Sequence, residues 1–482
     1  MRQSIQYEYV LNFVSVNSYI VTMTNWIPDL ANLAGPRYAA IADALAADVA
    51  EGHLEPGVRL PTHRDLAHRL KVTVGTVSRA YAEAERRGLV YGEVGRGTFV
   101  REHTPSAPPL LSPSGNDFVD LSYNFPPLDG ALSALSDTLA EVARTSDLAD
   151  LLSYRFDSGR GDHRAAFADW ISGFGVPTEA EDVVLTFGAQ NAMLITMMAL
   201  AGPGATVLTE ELTFYGIKSI AAQLDLRLHG VELDEHGLKP EALDAACRNS
   251  GAKLLYCIPT LQNPTVSVMP EERRREIAEV AARHEVVIVE DDVYGFLPEQ
   301  APAPISALAP EHSVYIASMS KSIGPGLRLG YVRAAPALRE PIVAALRASC
   351  LIPPSFLADV GARLIRSGEA HRMVKWQRGE ARKRQRTATR LLAGQALSTH
   401  PEAFHLWLVL PEPWRREIFA AEARGRGVGV ASAEVFAVGR QPVPHAIRLC
   451  LQAAHSIAAV ERALTILADM LAGEPAGGPA LV

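Results

Sequence analysis

Cysteine is scarce and scattered in this chain. There are four among 482 residues (Cys247, Cys257, Cys350 and Cys450), with no C-x-x-C pair and no histidine at metal-ligand spacing. That argues against a disulfide framework and against any metal site, and a reducing cytoplasm is the expected location. No apolar run reaches the roughly twenty residues a membrane helix needs, so no membrane partner is expected. Neither sign of charge dominates: the formal net charge is −8, and apolar and charged residues make up 48% and 21%. This is ordinary globular composition rather than disorder or a basic nucleic-acid coat. Internal repeats and a P-loop are absent too. The length implies two or three domains.

Residues 1–35 read as an N-terminal extension. Its stretch YVLNFVSVNSYIV is apolar but broken by Asn12 and Asn17, unlike a signal peptide. Because Met23 opens a more ordinary sequence, residues 1–22 read as either non-native or disordered.

Residues 36–102 form the first folded unit. Ile41, Leu45 and Val49 recur at helical spacing after Pro36. Gly52 and Pro56-Gly57 end that helix. A second is expected from about His63 to Leu70 with Thr62 as N-cap. A third follows Thr73, with Val77, Ala80, Tyr81 and Ala84 as its buried stripe and Gly88 at its C′ position. LVYGEVGRGTFV then turns at Gly95 and Gly97 like a two-stranded wing. Three helices and a glycine-rich hairpin in this order make a winged helix-turn-helix, although a generic protein–protein module could share the plan.

In that fold the second helix of the pair enters the major groove. Thr73, Gly75, Thr76, Ser78 and Arg79 are therefore the candidate base-side contacts. Arg64 on the preceding helix, with Arg96 and Gly97 at the wing, is placed for phosphates, which give affinity and register rather than sequence choice. The unit holds ten basic side chains against nine acidic ones, a net of +1. A monomer should bind double-stranded DNA weakly.

Residues 103–117 are a Pro/Ser-rich linker, and residues 118–482 form the second unit. There, runs such as DVVLTF, KLLYCIP, VVIVED and SVYIAS alternate with helical patterns, including one over 271–284. The alternation predicts an α/β fold with a mainly parallel sheet. From residue 360 on, long helical patterns plus FHLWLVL and HAIRLCL predict a smaller C-terminal α+β lobe.

One segment of this unit carries chemistry: ASMSKSIGPGLRLGY, residues 317–331. Lys321 follows Ser318 and Ser320 and precedes Arg328 by seven residues. A hydroxyl and a guanidinium at that spacing return to one dianionic phosphate, leaving the amine to hold an aldehyde as a Schiff base. Gly188, Ala189 and Gln190 join a strand to a helix, where backbone N–H groups can meet the same phosphate. A strand-end carboxylate, Asp291 or Asp292, can keep a pyridine nitrogen protonated. Together these point to pyridoxal 5′-phosphate.

Residues 59–99, especially LEPGVRLPTHRDLAHRL and the GRGTFV wing, resemble the GntR-type winged helix. Residues 118–482 are similar to fold-type I aminotransferases. The whole of 36–482 resembles a MocR/GabR-type transcriptional regulator, in which the two are fused.

The resemblance implies that Asp291 is the ring acid, because Tyr294 stands three residues on. It implies that Asn263 donates to the ring oxygen, that Phe214 stacks on the ring, and that Arg448 clamps a substrate carboxylate. Val266 stands where a glycine is usual. A head-to-tail homodimer is implied as well, with a small amine or amino-acid effector displacing Lys321 and promoter DNA as the macromolecular partner. A working aminotransferase with a DNA-binding head is the alternative, and a pyridoxal-phosphate-binding scaffold that does not touch DNA is a third.

Overall fold

The computed structural model describes residues 26–28, 36–50, 53–54, 58–86, 89–93, 97–100, 118–145, 147–154, 158–439 and 441–473. Residues 1–25, the interdomain stretch 101–117, Gly88, Gly95 and Arg96 lie outside them. The chain divides into two compact units, Met1–Pro105 and Ser106–Val482.

In the first unit, α1 (Arg37–Ala50), α2 (His63–Leu70) and α3 (Val74–Arg86) precede a hairpin of β1 (Val90–Glu93) and β2 (Gly97–Val100). The helices share one apolar core in which Ile41, Leu45, Leu66, Val77 and Ala84 are fully buried. Two features depart from the sequence expectation. Trp26, assigned above to the extension, belongs to this core, and its indole N–H donates to Asp48 Oδ2 at 2.8 Å. The wing also has a third extended segment: Leu60 N–H donates to the Thr98 carbonyl, and Val100 N–H to the Val58 carbonyl.

The second unit is built on a seven-stranded sheet. Its strands are β3 (Val183–Thr186), β4 (Thr206–Glu210), β5 (Arg227–Val231), β6 (Leu254–Cys257), β7 (Val287–Asp291), β8 (Ser313–Ser318) and β9 (Gly330–Ala334). Their order is β3-β9-β8-β7-β6-β4-β5, with only β9 antiparallel to its neighbours. Both faces are covered, so the strands read as near-continuous apolar runs. Tyr256 and Val289 point into one cluster while Leu255 and Ile288 point into another, the two-residue alternation of a strand.

The small lobe is a four-stranded sheet in which β11 (His405–Val409) pairs β13 (Ala446–Cys450), flanked by β10 (Ala396–Ser398) and β12 (Ala431–Ser432). It is not purely C-terminal. Val119–Asp120 pairs in parallel with Val428–Gly429, and the Leu121 carbonyl accepts from Cys450 N–H. The first described residues after the interdomain stretch thus pair with the C-terminal part of the chain.

Candidate functional site

In the first unit, Thr62 and Thr73 act as caps. Thr62 Oγ1 accepts from Asp65 N–H at 3.2 Å, and Thr73 Oγ1 accepts from Thr76 N–H at 3.1 Å. Ser78 Oγ lies 3.1 Å from His63 Nδ1, and the His63 ring meets Tyr81 edge-on at 5.0 Å, locking α3 against α2. The Tyr81 hydroxyl donates to the Pro61 carbonyl.

These bonds occupy the hydroxyls of Thr73, Thr76 and Ser78, whereas Gly75 and Arg79 stay exposed at the start of α3. Arg64 is exposed beside a cleft of about 420 Å³ that it lines with Arg59, Thr62, His63, Gly97 and Thr98. Gly97 has φ +123°, and a Cβ there would come within 2.7 Å of Arg59 Nε. Only glycine suits both demands.

In the second unit the site forms where the strand ends of the large sheet meet the small lobe. Lys321 follows β8, and its amine donates to the Asn124 carbonyl. It also lies within electrostatic reach of Arg448, Asp291 and Arg328. Desolvation lowers its pKa to about 8.

Asp291, at the end of β7, accepts from the Tyr256 hydroxyl at 2.6 Å, and burial pushes its pKa up to about 6. Asp292 turns the other way. It accepts from the Tyr315 hydroxyl at 2.9 Å and faces Glu290 and Arg274. Asp291 is the one of the pair that Lys321 senses.

Beside Lys321, the turn from β3 into the next helix combines backbone with side chains. Gly188, with φ +85°, precedes α4 (Ala189–Leu200), which has no side-chain cap and no acid in its first turn. The Arg328 guanidinium lies against Gly188, where a Cβ would meet Nη2 at 2.9 Å, and donates to the Phe187 carbonyl. At the end of β8, Ser318 Oγ accepts from Ser320 N–H at 3.4 Å. Gln190 donates to the Gly216 carbonyl, next to Phe214. Phe214 is half-buried, packed against the core of the large sheet. A helix N-terminus open to an anion, with a guanidinium across it, is an anion seat.

Arg448 occupies the opposite end. It is 1% exposed, and its guanidinium carbon lies 4.7 Å from the Phe436 ring centroid. Nη1 donates to Asn263 Oδ1 at 2.7 Å and Nη2 to the Ser122 carbonyl at 2.6 Å. Nε has no partner, and no carboxylate pairs with this cation among the described residues. Asn263 uses its oxygen on Arg448, which leaves its NH₂ free to donate. Val266 has φ +69°. It thus keeps the left-handed turn that glycine favours, at a cost of about 1–2 kcal/mol for a residue with a Cβ.

Three participants carry no motif in the sequence. Tyr256 supports Asp291. Asn124 Nδ2 donates to Tyr294 Oη at 2.8 Å and lies 3.4 Å from His405 Nδ1. The partners of Asn124 are 170 and 281 residues away in the chain, so no local pattern could flag it.

Comparison with known proteins agrees with both halves. Residues 116–467 match the class I and II aminotransferases, and residues 37–100 match the gntR family of bacterial regulatory proteins. The chain belongs to the class I and II aminotransferase family and is a transcriptional regulator headed by a GntR domain.

Among its relatives, YdeF of Bacillus subtilis, an uncharacterized HTH-type transcriptional regulator, is 30% identical, with 95% of this chain and 99% of that protein covered. TauR of Rhodobacter capsulatus, also an HTH-type transcriptional regulator, is 27% identical over 80% of this chain and 87% of its own. Two solved structures share the fold of the second unit. The kynurenine aminotransferase of Pyrococcus horikoshii, in complex with PMP, has a TM-score of 0.68 at 23% identity, covering 74% of this chain and 91% of its own. LysN, the α-aminoadipate aminotransferase of Thermus thermophilus, complexed with N-(5′-phosphopyridoxyl)-L-leucine, has a TM-score of 0.67 at 22% identity, covering 74% and 92%.

Proposed function

We propose that this regulator holds pyridoxal phosphate at Lys321 and senses a primary amine carrying a carboxylate or similar anion, which Arg448 binds. The observation that carries the reading is Arg448: a buried cation without a counter-ion among the described residues, within electrostatic reach of a lysine whose amine is depressed to about 8. An uncompensated buried charge is costly unless a ligand completes it.

The residues fit the cofactor. Gly188, Ala189, Ser318, Ser320 and Arg328 would hold the phosphate, Asp291 the ring nitrogen, and Asn263 and Tyr294 the ring oxygen, with Phe214 against the ring face. When bound, pyridoxal phosphate supplies an aldehyde that condenses with primary amines. Lys321 provides the resident amine, and once displaced it can accept a proton as a general base.

Arg448 selects and orients the incoming anion. The gain in contacts on binding must differ between two shapes of the protein, since a ligand shifts only an equilibrium it binds unequally. Gly75 and Arg79 on α3 would read promoter DNA while Arg64 and the wing contact phosphates. A cytoplasmic homodimer, with two heads on paired half-sites, offsets the near-neutral head.

Purified protein, loaded with the cofactor and mixed with a panel of amines and a keto acid, tests this. Sensing predicts a spectral change and altered binding to the DNA upstream of its own reading frame, without sustained keto-acid production. Multiple turnovers would instead make the protein an aminotransferase with a DNA-binding head. Failure to shift DNA with or without the cofactor would leave only a scaffold.

A further inference from the structure

The segment that follows the interdomain stretch, residues 119–125, touches Arg448, Lys321, Tyr294 and His405. Val119 and Leu121 N–H groups donate to the Gly427 and Gly429 carbonyls at 2.8 Å each, seating the segment on the small lobe. Asp120 Oδ1 accepts from both the N–H and the hydroxyl of Ser122. That turn sets the Ser122 carbonyl against Arg448 Nη2. Two residues on, the Asn124 carbonyl accepts from Lys321, and the Asn124 amide serves Tyr294.

His405 fixes this arrangement. Its Nε2 faces the Gln262 carbonyl at 3.1 Å, which can only accept, so Nε2 carries the proton and Nδ1 is the acceptor facing Asn124. Burial and the nearby Arg448 keep the ring neutral, with a pKa of about 3. The two cations that an amino-acid effector must address, Arg448 and Lys321, both rest on carbonyls of one short segment. A carboxylate is a stronger acceptor for a guanidinium than a peptide carbonyl is.

We propose that residues 119–125 are the element that reports effector binding. The effector carboxylate takes Arg448 Nη2 from the Ser122 carbonyl, the segment loosens from the small lobe, and the change passes along the chain through residues 101–117 to the DNA-binding head. This rests on the reading of the pocket given above. The exchange of acceptors is the differential contact that any coupling between two sites requires.

The test compares two ligands on the full-length protein by amide hydrogen exchange. N-(5′-phosphopyridoxyl)-L-leucine carries phosphate, ring and carboxylate in one molecule, and pyridoxamine phosphate lacks the carboxylate. The leucine compound should speed exchange at Val119, Leu121 and Cys450 at least about fivefold, with pyridoxamine phosphate leaving them within about twofold.

In parallel, Asp120→Ala removes the acceptor that holds the turn while leaving Arg448, Lys321, Asn263 and Tyr294 in place, and Asp120→Asn keeps that acceptor. The leucine compound should change affinity for the upstream DNA by about fivefold or more in the wild type and Asp120→Asn, and by less than about twofold in Asp120→Ala. Equal exchange with the two ligands, or an undiminished DNA response in a folded Asp120→Ala, overturns the role of the segment alone. If neither compound binds the wild type, the reading of the pocket fails and the segment's role with it. The exchange comparison stands even where Asp120→Ala does not fold.

Discussion

Burial lowers the pKa of Lys321 to about 8, which leaves more of its amine unprotonated near neutral pH. Capture of pyridoxal phosphate by the cofactor-free protein should therefore speed up with pH and level off above about 8 rather than near 10.4, the ordinary lysine value. Stopped-flow absorbance across that range checks it. Asp291 has the opposite shift, up to about 6. Its folded state holds a proton that the unfolded state has lost, so stability falls as pH rises from about 4 to 6. Asp291→Asn should raise the melting temperature of the cofactor-free protein at pH 7.5, by roughly 2–3 kcal/mol in stability, while weakening cofactor binding. The stability gain should vanish near pH 4. Arg448→Gln should leave cofactor binding intact and cost an amino acid about 1.5–3 kcal/mol, roughly ten- to a hundredfold in affinity. An amine without a carboxylate should bind both proteins alike, which spectral titration measures. Lys321 and Arg328 were legible because one local spacing carries them. Asn124 and His405 were not, because their contacts join distant parts of the chain.

The elements were legible where caps and breakers mark them. Thr62 and Thr73 accept the N–H bonds expected of N-caps, and α2 runs from His63 to Leu70 as the pattern implied. The third extended segment of the wing was not legible, since Arg59 and Leu60 show no alternation and gain their pairing only from Thr98 and Phe99. The glycine missing after Asn263-Pro264-Thr265 was equally misleading, because packing holds Val266 in the glycine conformation. At this scale Arg64 should act as a phosphate contact. Arg64→Ala is expected to weaken binding to all DNA sequences alike and to reduce the salt slope by about 1. Affinity measured against salt on matched and scrambled DNA checks it, and a loss confined to one base position contradicts it.

At the scale of the whole molecule, the candidate site around Lys321 and the GntR head lie in separate compact units, each with its own core. The alternation of apolar runs and helices announced the large, mainly parallel sheet, but not the order in which its strands pair. The small lobe was only half legible: its last strands showed in the sequence, but the return of Val119–Asp120 to join them is a tertiary event with no local signature. The proposed function depends on one bond between Lys321 and an aldehyde. Incubating the full-length protein with pyridoxal phosphate, reducing with borohydride and mapping the peptides by mass tests it most directly. A phosphopyridoxyl group on the peptide containing Lys321 is the predicted result. An unmodified Lys321, or a label spread over other lysines, contradicts it.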